Sequence, residues 1–322
     1  MIYHSNKTTP TTIVSSLLHF LLLIPFVYLL KMSLNKVLTN GTNCINSHLP
    51  KRIILVRHGE CLANVDINVY GTTPNHKIEL TEKGIEQAKQ SGNQIKKLIS
   101  ENASNNWKVF FYVSPAERTR RTLREMGGSF AKKRVMGVKE EYRLRELSFG
   151  NFHDPAGIEK VKKERFTYGR FYYRVPGGET GAEVYDRISS FVECLRKEME
   201  MKKFCHDPCQ ESNIIIVTHG LSSRIFLMKW FDWTIEQFED LNRIKLSEFQ
   251  VLQLGQGGEY SLAFHHDDKK LQEWGLSPDM IENQKYRAYG PTRVNSQGTC
   301  DVYPFMDCFA EDSDDENTLS KY

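Results

Sequence analysis

Three short apolar runs constrain this chain more than any other feature. Arg52 to Val56, Lys108 to Val113 and Asn213 to Thr218 are rich in β-branched or aromatic residues, which suits strands buried on both faces of a parallel sheet. Helix signals follow. Ser114-Pro115-Ala116-Glu117 places a capping serine, a first-turn proline and a glutamate directly after the second run, so a helix is expected to begin there. Thr180-Gly181-Ala182-Glu183 is a capping box, and Val184, Ile188, Phe191, Leu195 and Met199 then line one helical face. Ile85, Ala88, Ile95 and Ile99 mark a further helix. Glu248 to Leu254 and Tyr260 to His265 flank Gly255-Gln256-Gly257-Gly258 and predict an antiparallel hairpin. The fold class is α/β, with its strand-to-helix turns gathered at one sheet edge. Ligands of such sheets bind beyond the carboxyl ends of the strands.

Composition narrows the class of partner. With 322 residues, 40% of them hydrophobic, the chain can bury a sizeable core, and its net charge of +3 makes no electrostatic case for nucleic acid. Seven scattered cysteines do not form a disulfide framework. Cys205-His206-Asp207-Pro208-Cys209 lacks a second pair at ligand spacing, so it is taken as a polar loop.

The ends differ from the middle. Residues 1–50 form an N-terminal extension that holds an apolar run from Ile13 to Leu30, near the length that spans a bilayer. Lys31 and Lys36 follow where a signal peptidase would want small residues. The run is therefore either a membrane anchor or, if Met32 is the start, absent, and the two readings stay open. The catalytic domain is expected over 51–280 in the cytoplasm. A tail over 281–322 is expected to be partly disordered, its acidic stretch being Glu311 to Asn317.

The strand ends carry the chemistry. They read Arg57-His58-Gly59, then Ser114-Pro115 with Arg118 one turn on, then Thr218-His219-Gly220. If the strands are neighbours, two imidazoles and two guanidiniums meet, a cluster that is costly without an anion. A phosphoryl group fits, because guanidinium forks match its oxygens and glycine turns and helix N-termini add backbone donors. A neutral imidazole among cations can serve as nucleophile, and phosphoryl transfer asks mainly for positioning and charge stabilisation, which this set provides without metal. The leaving alkoxide needs a proton, and Leu144-Arg145-Glu146-Leu147-Ser148-Phe149-Gly150 offers a carboxylic acid.

Five separated stretches, "RHGECLAN", "SPAERTRRT", "LRELSFGNF", "PGGETGAEVYDR" and "VTHG", resemble the histidine phosphatase superfamily over roughly residues 51 to 280. The resemblance implies a phosphoglycerate mutase-like fold, a three-layer αβα sandwich around a mostly parallel sheet. It implies His58 as the phosphohistidine nucleophile and Glu146 as proton donor, with Arg57, Asn64, Arg118 and His219 binding the phosphoryl oxygens and no cofactor. Further stretches resemble a plant branch of phosphoglycerate-mutase-like proteins related to a fungal broad-range acid phosphatase. Cofactor-dependent mutases carry an Asn-Glu-Arg-His-Tyr-Gly segment around the acid and a double-arginine insertion. Here the acid lies in Arg-Glu-Leu-Ser-Phe-Gly, and no such insertion lies between Gly150 and Pro176. A phosphatase acting on a small phosphorylated metabolite is therefore expected ahead of a mutase or a phosphate-binding regulator. Arg165, Arg170 and Arg174, set among aromatic residues, are expected to cap the pocket and select substrate.

Overall fold

A computed structural model describes residues 48–290 apart from 102–105, 151–154, 206 and 208. The hydrophobic run 13–30 and the acidic tail lie outside the described residues, as does His153. Among the described residues no helix is long and apolar enough to cross a membrane.

Six strands form one sheet in the order β3-β2-β4-β1-β5-β6. They are β1 (Arg52–Arg57), β2 (Trp107–Val113), β3 (Val135–Glu140), β4 (Glu211–Thr218), β5 (Phe249–Leu254) and β6 (Tyr260–Ser261). Strands β1 to β4 are parallel, and β5 runs antiparallel to both β1 and β6. The apolar runs alternate between two cores, as the period of two along a strand requires. Ile53, Leu55, Ile214 and Ile216 face one core, while Ile54, Val56, Ile215 and Val217 face the other.

Helices cover both faces. Helix α1 (Glu82–Glu101) and α2 (Glu117–Gly127) close one core through Ile95, Ile99 and Met126. The other core is closed by α3 (Pro155–Tyr168), α4 (Gly181–Glu200), α5 (Gly220–Phe231) and α6 (Pro278–Tyr289). The Thr180 box caps α4 as expected, its hydroxyl accepting from the Glu183 N–H, and all five residues of the expected apolar face are buried. The result is the three-layer αβα architecture.

Two local expectations need correction. Ser114 does not cap α2, which starts at Glu117 with Ala116 as its N-cap and no side-chain cap. The Ser114 hydroxyl is instead 2.7 Å from His219 Nε2. The second hairpin strand ends at Ser261 rather than His265. The reason is α6, where the Gln284 side chain accepts from the Leu262 N–H at 2.9 Å and so withdraws it from the ladder. That helix also crosses the boundary expected at 280, with Ile281 and Gln284 buried.

Candidate active site

Strand register brings the three polar ends together. Arg57 pairs with Thr218 and Val113 with Val217. The next residues continue the pairing, His58 N–H donating to the Thr218 carbonyl and Ser114 N–H to the Val217 carbonyl. His58 and His219 therefore leave adjacent strands side by side, their ring centroids 5.3 Å apart. Both are buried.

The loop after β1 can turn here only because it meets another glycine. A methyl group built on Gly59 would lie 2.4 Å from the carbonyl oxygen of Gly84, in the first turn of α1. The Gly59 N–H donates to Thr122 on α2 at 3.0 Å, so both helices of that layer fix the loop.

Hydrogen bonding sets the state of the rings. His58 Nδ1 lies 2.7 Å from the Gly59 carbonyl oxygen, which can only accept. Nδ1 therefore carries the proton and Nε2 keeps its lone pair. Burial first, then Arg118 and Arg57, holds the His58 imidazolium well below the usual histidine range. Burial, Arg118 and the neighbouring His58 do the same to His219. His219 Nδ1 is buried without a hydrogen-bond partner among the described residues.

Around these rings stand guanidiniums that form no ion pair with a carboxylate among the described residues. Arg57 gives Nη1 to the Ile244 carbonyl, and its buried Nε has no partner among the described residues. Burial, and secondarily Arg243, brings the Arg57 pKa down to about 10. Arg118, also buried, is held by Asn75, donating to its backbone oxygen at 2.7 Å and its side-chain oxygen at 3.0 Å.

Glu146 reaches the same place from the other layer. Its carboxylate accepts from the N–H groups of Leu147 at 3.0 Å and Leu221 at 3.3 Å, the latter in the first turn of α5, whose N-cap is His219. The backbone leading to it is pinned by Thr218, whose hydroxyl donates to the Leu144 carbonyl at 2.8 Å. Ser222 and Arg187 both hold the Arg145 carbonyl. Arg187 is itself paired with Glu179.

The structure thus gathers Arg57, His58, Arg118, Glu146 and His219. Asn64 sits apart in character: it is exposed, and its side-chain oxygen accepts from the Cys61 N–H at 3.0 Å and the Cys61 thiol at 3.1 Å. The expected arginine cap is not a free set of cations. Arg170 is paired with Glu239 at 3.0 Å and Arg174 with Glu183 at 2.8 Å, while buried Arg165 donates to the Arg170 carbonyl. Those heads brace the chain between α3 and α4. Sequence reasoning missed Ser114 as the partner of His219, and missed Glu179 and Arg187 as the brace of Glu146. The last two lie within "PGGETGAEVYDR", so the motif was visible while its purpose was not. Among the described residues no three His, Cys, Asp or Glu side chains gather as a metal-binding group.

Comparison with known proteins agrees with this geometry. The model of the histidine phosphatase superfamily, branch 1, matches residues 53–274. The phosphoglycerate mutase-like protein AT74 of Arabidopsis thaliana is 54% identical over 244 residues, 76% of this chain and 77% of that protein. Its relative AT74H is 49% identical over 259 residues, 79% of this chain and 92% of that protein. The broad-range acid phosphatase DET1 of Saccharomyces cerevisiae is 29% identical over 289 residues, covering 64% of this chain and 86% of that protein. The match runs from Ile53 in β1 to Trp274, beyond β6, and includes every residue of the cluster, so the chain is an enzyme of the phosphatase class and belongs to branch 1 of the histidine phosphatase superfamily.

Proposed function

We propose that this chain is a phosphomonoesterase that works through a phosphohistidine on a small phosphorylated metabolite. The observation that carries the reading is the pair of adjacent buried imidazoles, with the Nε2 lone pair of His58 among guanidiniums that form no ion pair with a carboxylate among the described residues. The branch that the sequence resembles includes a protein named as a broad-range acid phosphatase, which supports hydrolysis over isomerisation.

In the first step His58 Nε2 attacks phosphorus, the P–N bond forms and the ester P–O bond breaks. Glu146, entering as the carboxylic acid, gives its proton to the leaving oxygen, and the alcohol departs. In the second step water attacks phosphorus as the Glu146 carboxylate takes its proton. The P–N bond breaks, releasing inorganic phosphate and restoring His58. Arg57, Arg118 and the unpartnered Nδ1 of His219 are assigned to the equatorial oxygens, where preformed charge stabilises the transition state without reorganising. Asn64 is assigned a supporting contact through its amide donor. The depressed basicity of His58 keeps it a nucleophile in slightly acid solution. The catalytic domain is assigned to the cytoplasm.

The test is phosphate release from a panel of monoesters by the full chain in the presence of a chelator. His58→Ala is expected to lower the rate at least about 10³-fold with its circular dichroism unchanged. Retained release in that variant would overturn the mechanism. Isomerisation of 3-phosphoglycerate that depends on a bisphosphate primer, without net phosphate release, would install a mutase instead.

A further inference from the structure

Four arginines near the site are matched by acids. Arg145 and Arg187 share Glu179, Arg170 pairs with Glu239, and Arg174 pairs with Glu183. Arg57, Arg118, Arg165 and Arg224 have no carboxylate partner among the described residues, but each is tied down by donating to a backbone carbonyl. Arg243 differs from all of these. It is exposed, and among the described residues it has neither an ion pair nor a hydrogen bond.

Its position is nevertheless fixed against the site. A methyl group built on Gly220, the first residue of α5, would come within 3.2 Å of Arg243 Cγ and 3.4 Å of Arg57 Nε. The Arg243 stem therefore lies beside Arg57 across that glycine. The next residue, Ile244, supplies the carbonyl that holds Arg57. The charge of Arg243 is felt by Arg57, Tyr70, Arg165 and Arg224, which come from four separate segments. The cations acting on His58 are Arg118 and Arg57, without Arg243. Arg243 thus stands one step outward from the arginines that act on His58, beside Arg57, with the half-buried Tyr70 within reach of its charge.

Charge matching gives this placement a meaning. A phosphomonoester dianion is matched by the two guanidiniums that flank His58, so Arg243 is surplus to it. Water solvates the exposed Arg243, yet its charge is repelled by the neighbouring cations, and an anion bound between them would relieve that repulsion. We propose that Arg243 selects phosphate esters bearing a second anionic group, a carboxylate or another phosphate, with the Tyr70 hydroxyl as a further donor to that group. This rests on the phosphatase reading above and names its substrate class.

Two matched pairs test it with the full chain. 3-Phosphoglycerate and glycerol 3-phosphate differ by a carboxylate, and fructose 1,6-bisphosphate and fructose 6-phosphate by a phosphate. In at least one pair the doubly anionic ester is expected to have the higher kcat/KM by about tenfold or more, the usual reward of a charge-assisted contact. The pair that shows the preference identifies the group. Arg243→Ala is expected to erase that ratio, acting mainly through KM, and Arg243→Lys to restore part of it. A ratio near one in both pairs for the parent, or a ratio untouched by Arg243→Ala, would overturn the proposal. Binding of the same esters in a His58→Ala background reads the preference without turnover. Failure of phosphate release with the binding preference intact would strike the phosphatase reading and leave the Arg243 assignment standing.

Discussion

Strand β1 begins and ends on an arginine, and the two ends are built for different purposes. Arg52, fully buried, donates Nη1 to the Glu211 carboxylate at 2.6 Å and to Asn213 at 3.0 Å. Glu211 also takes Lys51 at 2.7 Å. Arg57, at the other end of that six-residue strand, meets among the described residues only the Ile244 carbonyl. Completeness of hydrogen bonding does not separate them, because Arg52 leaves Nε and Nη2 without partners just as Arg57 leaves Nε. The carboxylate does. A buried cation closed by a protein carboxylate holds the fold together, whereas one closed only by carbonyls keeps its net charge for a ligand.

Opposite outcomes on substitution would establish that contrast. Arg57→Met removes a cation from a crowded cluster, so it is expected to leave stability within about 1 kcal/mol of the parent. In the same variant kcat/KM is expected to fall by about 10² to 10³, the usual cost of losing one preformed donor to a transition state. Glu211→Gln strands Arg52 as an uncompensated buried charge and is expected to cost about 3 kcal/mol. Thermal unfolding would show that as a drop of roughly 6 to 12 °C, with kcat/KM of the folded protein unchanged. The comparison breaks if Arg57→Met melts as early as Glu211→Gln.

Much of this was legible in the chain and some was not, for reasons that differ by residue. The alternation of Ile53, Ile54, Leu55 and Val56 between two cores follows from strand periodicity, so the sheet and its layers could be read directly. His58, Arg118 and His219 could be nominated because each follows an apolar strand end or opens a helix, whereas Glu146, which follows the single turn Tyr142–Leu144, could be nominated only because the leaving group needs an acid. Their convergence is a fact of register, which needs β4 to sit between β1 and β2, and no local pattern states that order. Ser114 shows the limit of local rules. Serine before proline two residues ahead of a glutamate is a cap signal, but a buried imidazole competes for the hydroxyl and wins. Arg170 and Arg174 show the converse, since their carboxylates, Glu239 and Glu183, are invisible as partners until the chain folds. Arg243 carries no motif at all and is defined only by the carboxylate it lacks.

Acid sharpens the comparison next. Burial depresses His58 and His219 at the site, and it also depresses a second pair in the segment after β6, His265 to about 4 and His266 to about 3. The unfolded chain binds these protons near pH 6.5 while the folded chain does not, so folding releases protons in that window. Stability is therefore fully present above about pH 6.5 and is lost as pH falls below it, by up to about 1.4 kcal/mol per pH unit for each such ring. In the still-folded protein the acid limb of kcat/KM that belongs to His58 is expected well below pH 6.5. Denaturant unfolding at pH 7.5 and 5.5, read beside kcat/KM at both, checks the signs. A loss of activity with a midpoint at 6.5 and no loss of stability would mean that the catalytic ring is solvated.

The smallest effect is expected at Ser114. Its hydroxyl is buried, lies 2.7 Å from His219 Nε2, and is the sole hydrogen-bond partner of that ring among the described residues. Ser114→Ala removes the contact without touching any charge, so it leaves one buried ring nitrogen unsatisfied, a cost of about 1 kcal/mol in stability. Its effect on the reaction is indirect. The His219 ring keeps its place beside His58 through backbone register but loses what fixes its rotation, and a donor that must be reoriented stabilises developing charge less than one already aimed. A fall in kcat/KM of about tenfold is expected, clearly less than for Arg57→Met, with inorganic phosphate inhibiting more weakly in parallel. If Ser114→Ala matched the parent in rate and in phosphate inhibition, the unpartnered Nδ1 of His219 would not be the donor assigned here, and the open end of the sheet would rest on its arginines alone.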